Sequence, residues 1–362
     1  MTDMRCGWMG LLAAVCACVG GSSGGQSSAS GDDSSGRNDP PAPVDPCAGL
    51  LPTLPPPRTF TITAADGGGL WCSGAATDGA GNVYLMHYVT GVRNITRAAV
   101  GGGTFAAPLA EGFTAFQHTM SPSTTYSAYA PDGQLISTVP VFAYSTAVGM
   151  QANGGTILVG CFPNKPVEAR KFDDRGAFTT VQLTDLEGLD PNSTAVLVDQ
   201  QDRTLIVRTL DSPAGGVPSG HYAARWFDAE GMPLTGWFDA GAAPSTGPAS
   251  LRPLIGGGAV LGAGWGWRAA LVSGTTNVGP APAFFPPNAD VAIVRGGKAY
   301  AVVSYKDSAM EMTIFASGGE SCGTLTAKGA SSIGKDGTLI GQTGYAMAYN
   351  DCVTTWYPQV LK

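Results

Sequence analysis

The sequence predicts an all-β fold, a β-propeller disc of repeated four-stranded blades, and three observations predict it. Glycine (52) and proline (26) are abundant while charged residues make up only 13% of the 362-residue chain, a balance that favours many turns over long helices. Short apolar stretches broken by tight turns recur along the chain, as in "GAATDGAGNVYLMHYV", "MQANGGTILVGCF", "AVLVDQQDRTLIVRTL", "LRPLIGGGAVLGAGW", "VAIVRGGKAYAVVSY" and "SSIGKDGTLIGQT". Each reads as strand, turn, strand, because β-branched or aromatic residues flank Gly, Asp or Asn, where positive φ is tolerated. The turn landmarks Gly81, Gly155, Asp202, Gly258, Gly297 and Gly337 are 74, 47, 56, 39 and 40 residues apart; the first step is two repeats of about 37 and the step of 56 holds the insertion "DSPAGGVPSGH", so the period is near 40, that of a four-stranded blade.

The chain divides into three stretches. Residues 1–17 hold one Arg and then an apolar run from Gly7 to Ala17; this is too short to cross a bilayer and has the layout of a secretory signal. Residues 18–57 form a tether, of which "VGGSSGGQSSASGDDSSGRNDPPAPV" has almost nothing to bury and is expected to be disordered. Residues 58–362 form one propeller domain. The stretch "VCAC" resembles the lipobox of bacterial lipoproteins, and that resemblance implies a lipid on Cys18.

Within the domain, a second hairpin follows each first one: "ITRAAVGGGTF", "YSAYAPDGQLIST", "ARKFDDRGAFTTVQL", "ARWFDAEGMPLTGWF", "AALVSGTTNV", "MTIFASGGESCGTL" and "MAYNDCVTTWY". These are seven outer hairpins against six clear inner ones, with "TAFQHTMSPSTTYSAY" as the seventh inner hairpin. Seven blades are expected; six or eight remain compatible with the spacing. The turns "TDGAGNVY", "FDDRG", "FDAEG" and "PDGQL" resemble those of NHL-type and YVTN-like propellers, which carry Asp and Gly ahead of an apolar strand. That resemblance implies a rigid disc presenting loops and no single activity.

Net charge of −7 and a pI near 4.9 leave no basic stripe, which argues against nucleic acid as a partner. Beyond the signal and Cys18, five cysteines remain: Cys47, Cys72, Cys161, Cys322 and Cys352. In an exported, oxidising setting they are expected to form disulfides. Cys322 with Cys352 and Cys72 with Cys161 is one pairing; Cys47 with Cys352 is another, and spacing does not choose. No clustered Cys or His motif points to zinc, so no metal ligand is assigned.

In a blade, the turns joining strands one to two and three to four share one face, and the two-to-three connections share the other, where propeller funnels lie. "TDGAGN" is therefore an inner hairpin turn on the far face, and Ala80 stands where a calcium loop would place a further oxygen ligand. Ligand candidates on the funnel face are Tyr88, Arg93, His221, Trp265, Trp267, Tyr305, Lys306 and Asp307, with Arg268 beside them. Ring faces supply contact area there, and cations fix orientation. His221 is placed in the long loop. His87 and His118 are the candidates for a general base or a metal pair. The link "TDLEGLDPNST" offers Asp185, Glu187 and Asp190 as oxygen ligands for calcium, and reads more simply as an exposed turn. Asn94 and Asn192 begin Asn-x-Thr sequences that matter only in a glycosylating host.

These observations point to a monomeric, lipid-anchored binding or scaffold module of a bacterial cell envelope, at the outer membrane or cell surface, or otherwise secreted. It would take a protein, glycan or small molecule at the funnel and need no cofactor. The alternative is a lyase or hydrolase acting on a polysaccharide or lactone with a divalent metal such as calcium or magnesium.

Overall fold

The computed structural model describes residues 44–63, 70–89, 92–95, 103–118, 124–141, 146–150, 156–160, 168–184, 186, 193–213, 215–244, 249–263, 266–286, 289–334, 336–343 and 351–362. For His87, Tyr88, Arg93 and His118 it describes the backbone alone. Cys18, Cys161, Trp265, Asp185, Glu187 and Asp190 lie outside the described residues, as do residues 1–17 expected to be a signal.

The protein is an all-β propeller. Its described strands form six four-stranded sheets and one three-stranded sheet, each antiparallel. In chain order the sheets span residues 70–95, 103–141, 146–182, 194–242, 250–280, 290–328 and 332–357. The first is the three-stranded one, and the last takes its outermost strand, Arg58–Thr63, from the start of the domain. Arg58 pairs with Trp356 and Thr63 with Asp351, so the two ends of the domain share one sheet and close the ring.

Contacts between neighbouring sheets run mainly through their first strands, which lie innermost, except in the seventh sheet, whose second strand meets the first sheet. Thr146–Met150 touches Thr194–Val198, which touches Ser250–Pro253, which touches Asp290–Val294; Leu70–Thr77 touches Gly103–Pro108 on one side and Leu339–Thr343 on the other. The core lies between neighbouring sheets, because middle strands such as Thr204–Thr209 and His221–Phe227 have two faces and both are covered, while outer strands such as Phe178–Gln182 are exposed. Leu261 packs with Leu205 and Trp226 of the fourth sheet, while its neighbour Val260 packs with Val291 and Tyr300 of the sixth. Each such fully buried aliphatic side chain contributes about 1.5–3 kcal/mol of transfer energy.

Three expectations about hairpins are corrected. "TAFQHTMSPSTTYSAY" is no inner hairpin: Phe113–His118 and Thr124–Tyr129 are the second and third strands of the second sheet. Its inner hairpin joins Gly103–Pro108 to Phe113–His118, so "GTF" belongs to the second sheet and "ITRAAVGGGTF" is no outer hairpin of the first. "MAYNDCVTTWY" is likewise no hairpin, since Asp351–Tyr357 pairs with Leu339–Thr343 and with the N-terminal strand. His221 opens the strand His221–Phe227 and does not lie in a loop.

One disulfide, Cys47–Cys322, ties the segment ahead of the first strand to the outer strand of the sixth sheet, with Cα atoms 5.1 Å apart. The expected Cys322–Cys352 and Cys47–Cys352 pairings are thereby both excluded, since Cys47 and Cys322 are bonded to each other. Cys352 is itself disulfide-bonded, to a residue outside the described side chains. Arg295, in the inner turn of the sixth sheet, donates to the Gly49 carbonyl at 2.6 Å and to that of Lys362 at 3.1 Å, which gathers both chain ends at one place.

Candidate functional site

Three of the described inner turns are held by buried aspartates, and at Asp78 and Asp199 the two carboxylate oxygens do different jobs. Asp78 Oδ1 accepts the N–H groups of Ala80 and Asn82 at 3.0 and 2.8 Å, a local Asx turn. Its Oδ2 accepts the Tyr84 hydroxyl at 2.7 Å and, from the next sheet, the Gly112 N–H at 2.9 Å. Asp199 repeats this: Oδ1 takes the N–H groups of Gln201 and Arg203, and Oδ2 takes the Gly258 N–H at 3.0 Å and the Ser273 hydroxyl of the fifth sheet. Asp336 accepts the Thr77 hydroxyl at 2.6 Å, joining the seventh sheet to the first. These carboxylates are fully or nearly fully buried and are occupied as clasps between sheets. The turn "TDGAGN" is one of them and not a metal loop. Among the described residues no group of three or more His, Cys, Asp or Glu is placed to hold a metal ion.

The funnel-face candidates separate. Tyr305 and Lys306 end the strand Ala299–Lys306, and Asp307 and Ser308, with φ of 50° and 61°, form the two-residue turn that follows. The Tyr305 hydroxyl donates to the Ser331 carbonyl at 2.7 Å. Desolvation of the hydroxyl, and then the nearby Asp290 charge, hold the phenol well above its usual range. Asp290 itself pairs with Arg252 at 2.6 Å across the fifth and sixth inner strands. Tyr305 therefore belongs to a polar link between sheets, which sequence reading missed apart from the tyrosine itself.

Trp267 and Arg268 part company at a β-bulge: Leu261 pairs with Ala269 and Gly262 with Trp267, which leaves Arg268 as the extra residue between them. Trp267 is half-buried and packs edge-on against Phe285, 6.4 Å between ring centroids, in the core shared with the sixth sheet. Arg268 is exposed on the other side, facing the fourth sheet.

His221 binds Asp239 through Nδ1, at 3.0 and 2.9 Å to the two carboxylate oxygens. It does not join Trp267 or Tyr305. Asp239 is held below its usual range: desolvation pushes it up, but the His221 hydrogen bond, the Gly241 N–H and the His221 charge together outweigh that. Arg208 stacks over Trp237 at 4.3 Å from the ring centroid, with Arg225 at 5.9 Å from the same ring. Burial lowers the Arg208 pKa from its ordinary value.

Between the fourth and fifth sheets lies a cavity of about 250 Å³. Ala240, Leu261, Ala269 and Val278 give it apolar walls, and Tyr222 and Arg268 are its polar side chains. Tyr222 is 1% exposed, and its hydroxyl has no hydrogen-bond partner among the described residues. Burial raises the phenol pKa, and the Arg268 charge works against that rise, so the guanidinium acts on this hydroxyl. Arg268 makes no hydrogen bond or ion pair among the described residues. No carboxylate lines the cavity. Tyr222 was not singled out from sequence; the one signal was alternation in "HYAARWF", which sets Tyr222, Ala224 and Trp226 on the face opposite His221, Ala223 and Arg225.

No protein-family model matches the chain, and no curated protein matches it. Among solved structures it is similar to TolB from Acinetobacter baumannii, with 12% identity over 72% of this chain and 63% of that one at a TM-score of 0.35. It is similar to prolyl oligopeptidase B from Galerina marginata, with 9% identity over 76% of this chain and 47% of that one at a TM-score of 0.44. AofleA from Arthrobotrys oligospora is similar at 10% identity over 77% of this chain and 91% of that one, TM-score 0.36. The chain thus spans less than two thirds of the length of TolB and about half that of the oligopeptidase, and these likenesses concern the fold alone.

Proposed function

We propose that the protein is an exported, lipid-anchored binding or scaffold module of the bacterial cell envelope, built on seven blades, with no chemistry of its own. The observation that carries the binding reading is the contrast in polar groups: the buried aspartates Asp78 and Asp199 are consumed in clasps between sheets, whereas Tyr222 and Arg268 line a cavity without a hydrogen-bond partner among the described residues. Unspent hydrogen-bonding groups in an otherwise apolar recess are what a ligand uses for orientation. Seven blades are supported by the seven described sheets and by the Asp336 clasp from the last to the first. Export is supported by the apolar run ending at Ala17, by the "VCAC" stretch and by the disulfide-bonded cysteines.

The test is fractionation of the full chain in a bacterial host supplied with an alkyne-tagged fatty acid. The wild type is expected to be labelled and to sediment with envelope membranes, and Cys18→Ser to lose the label and the membrane association. An unlabelled wild type in the cytosolic fraction overturns the reading.

A further inference from the structure

We propose that the cavity between the fourth and fifth sheets is a binding site for a small carboxylate with a short apolar body. The inference rests on the reading of the protein as a binder and names the ligand's chemistry. It stands on Tyr222 first. Its side chain lines the recess, and its hydroxyl, which makes no hydrogen bond among the described residues, is available to a bound acceptor. An acceptor arriving from outside would gain that hydroxyl as a donor. Arg268 stands on the same cavity as an unopposed cation, in a chain whose Asp and Glu (27) outnumber its Lys and Arg (20). With no carboxylate in the lining, the recess favours an anion that accepts from both the guanidinium and the phenol, and a carboxylate matches the guanidinium's paired donors.

The remaining lining sets the rest of the ligand. Leu261 is fully buried, Ala240 and Ala269 nearly so, and Val278 lies exposed at 42% beside the opening. One cation and apolar walls suit a monoanion with a hydrocarbon body; a phosphate dianion would need several more donors. The volume, about 250 Å³, falls below the roughly 300–1,000 Å³ of sites for drug-sized molecules, which limits the body to something like a butyl chain or a single ring.

The experiment is isothermal titration of the mature chain with sodium benzoate and sodium butyrate, and with benzamide as the uncharged counterpart of benzoate. Benzoate is expected to bind at millimolar concentration or better, and benzamide about tenfold more weakly or not at all, since the charge-assisted pair with Arg268 is lost. Arg268→Gln, at an exposed position, keeps the fold and is expected to weaken benzoate about tenfold, and Tyr222→Phe, which keeps the ring packing, severalfold. Ala242→Leu, which places a larger side chain on the lining, abolishes binding. Circular dichroism of each variant separates loss of site from loss of fold. No heat with either carboxylate, equal binding of benzamide, or binding unaffected in both Arg268→Gln and Tyr222→Phe overturns the proposal. Absence of carboxylate binding by a chain that still labels at Cys18 overturns this ligand class and leaves the envelope binder standing; binding by an unlabelled cytosolic chain does the reverse.

Discussion

The inner and the outer turns of the sheets carry the same local device and use it differently. In the outer turns, Asp173 accepts the N–H groups of Arg175 and Ala177, and Asp228 those of Glu230 and Met232, each through Oδ1. Asp78 and Asp199 repeat that pattern in the inner turns, two and four residues ahead. The difference is burial: the inner aspartates are wholly buried, and their second oxygen crosses to the next sheet. In the outer turns the second oxygen has no protein partner among the described residues. One sequence pattern thus yields a turn signal at the rim and a structural joint near the axis, and what decides is whether a neighbouring sheet closes over it.

The largest expected effect tests that distinction directly. Asp199→Ala removes the acceptor for the Gly258 N–H and the Ser273 hydroxyl, leaving donors buried and unsatisfied between sheets. It is expected to cost about 3–5 kcal/mol, in the range for breaking a buried network. Asp173→Ala, at an exposed turn, is expected to cost about 0.5–1 kcal/mol. Denaturant midpoints of the two variants decide the matter. Equal costs would break the comparison by showing that the local turn, and not the joint, is what the aspartate supplies.

The joint between the chain ends is covalent, and it comes next in size. Cys322→Ser opens the Cys47 bridge, which closes a loop of 275 residues. A loss of about 2–4 kcal/mol is expected, read as a lowered melting temperature that the wild type reproduces once reduced. The Arg58–Thr63 strand remains hydrogen-bonded in the seventh sheet, so the ring stays closed and circular dichroism keeps its β signature. Were the variant to unfold altogether at room temperature, the strand exchange and the Asp336 clasp would be too weak to close the disc unaided.

How far the sequence can be read follows from these joints. Hairpins carrying their own Asp or Gly turn were legible, since positive φ and Asx bonding are local properties. The inner turn of the second sheet was not, because "LAEG" lacks an aspartate at the turn and its Gly112 N–H is satisfied by Asp78 from the sheet before. The last hairpin failed for a similar reason: its outer strand is supplied by residues 58–63, which no local pattern near Asp351 reveals. At the candidate site the aromatic and cationic residue types were legible and their grouping was not. Trp267 and Arg268 adjoin in sequence and face different sheets, while Tyr222 and Arg268 meet only because the fourth and fifth sheets pack. His87 and His118 have only their backbones described, so their proposed partnership is untouched by these observations.

The smallest expected effect comes from a carboxylate that is bonded but not enclosed. Asp239 pairs with His221 with side chains 40% and 32% exposed, so solvent screens the interaction and the pair is expected to contribute less than about 1 kcal/mol. Because the folded pKa of Asp239 lies below its ordinary value, the contribution is present above the unfolded pKa of about 4 and is lost as pH falls through the folded value. Asp239→Asn should therefore be slightly less stable than wild type at neutral pH, with the gap closing below about pH 4. Urea midpoints measured across that range check it. A loss of several kcal/mol would mean that a partner alone, without burial, makes an aspartate a structural joint, and the contrast between inner and outer turns would then need another cause.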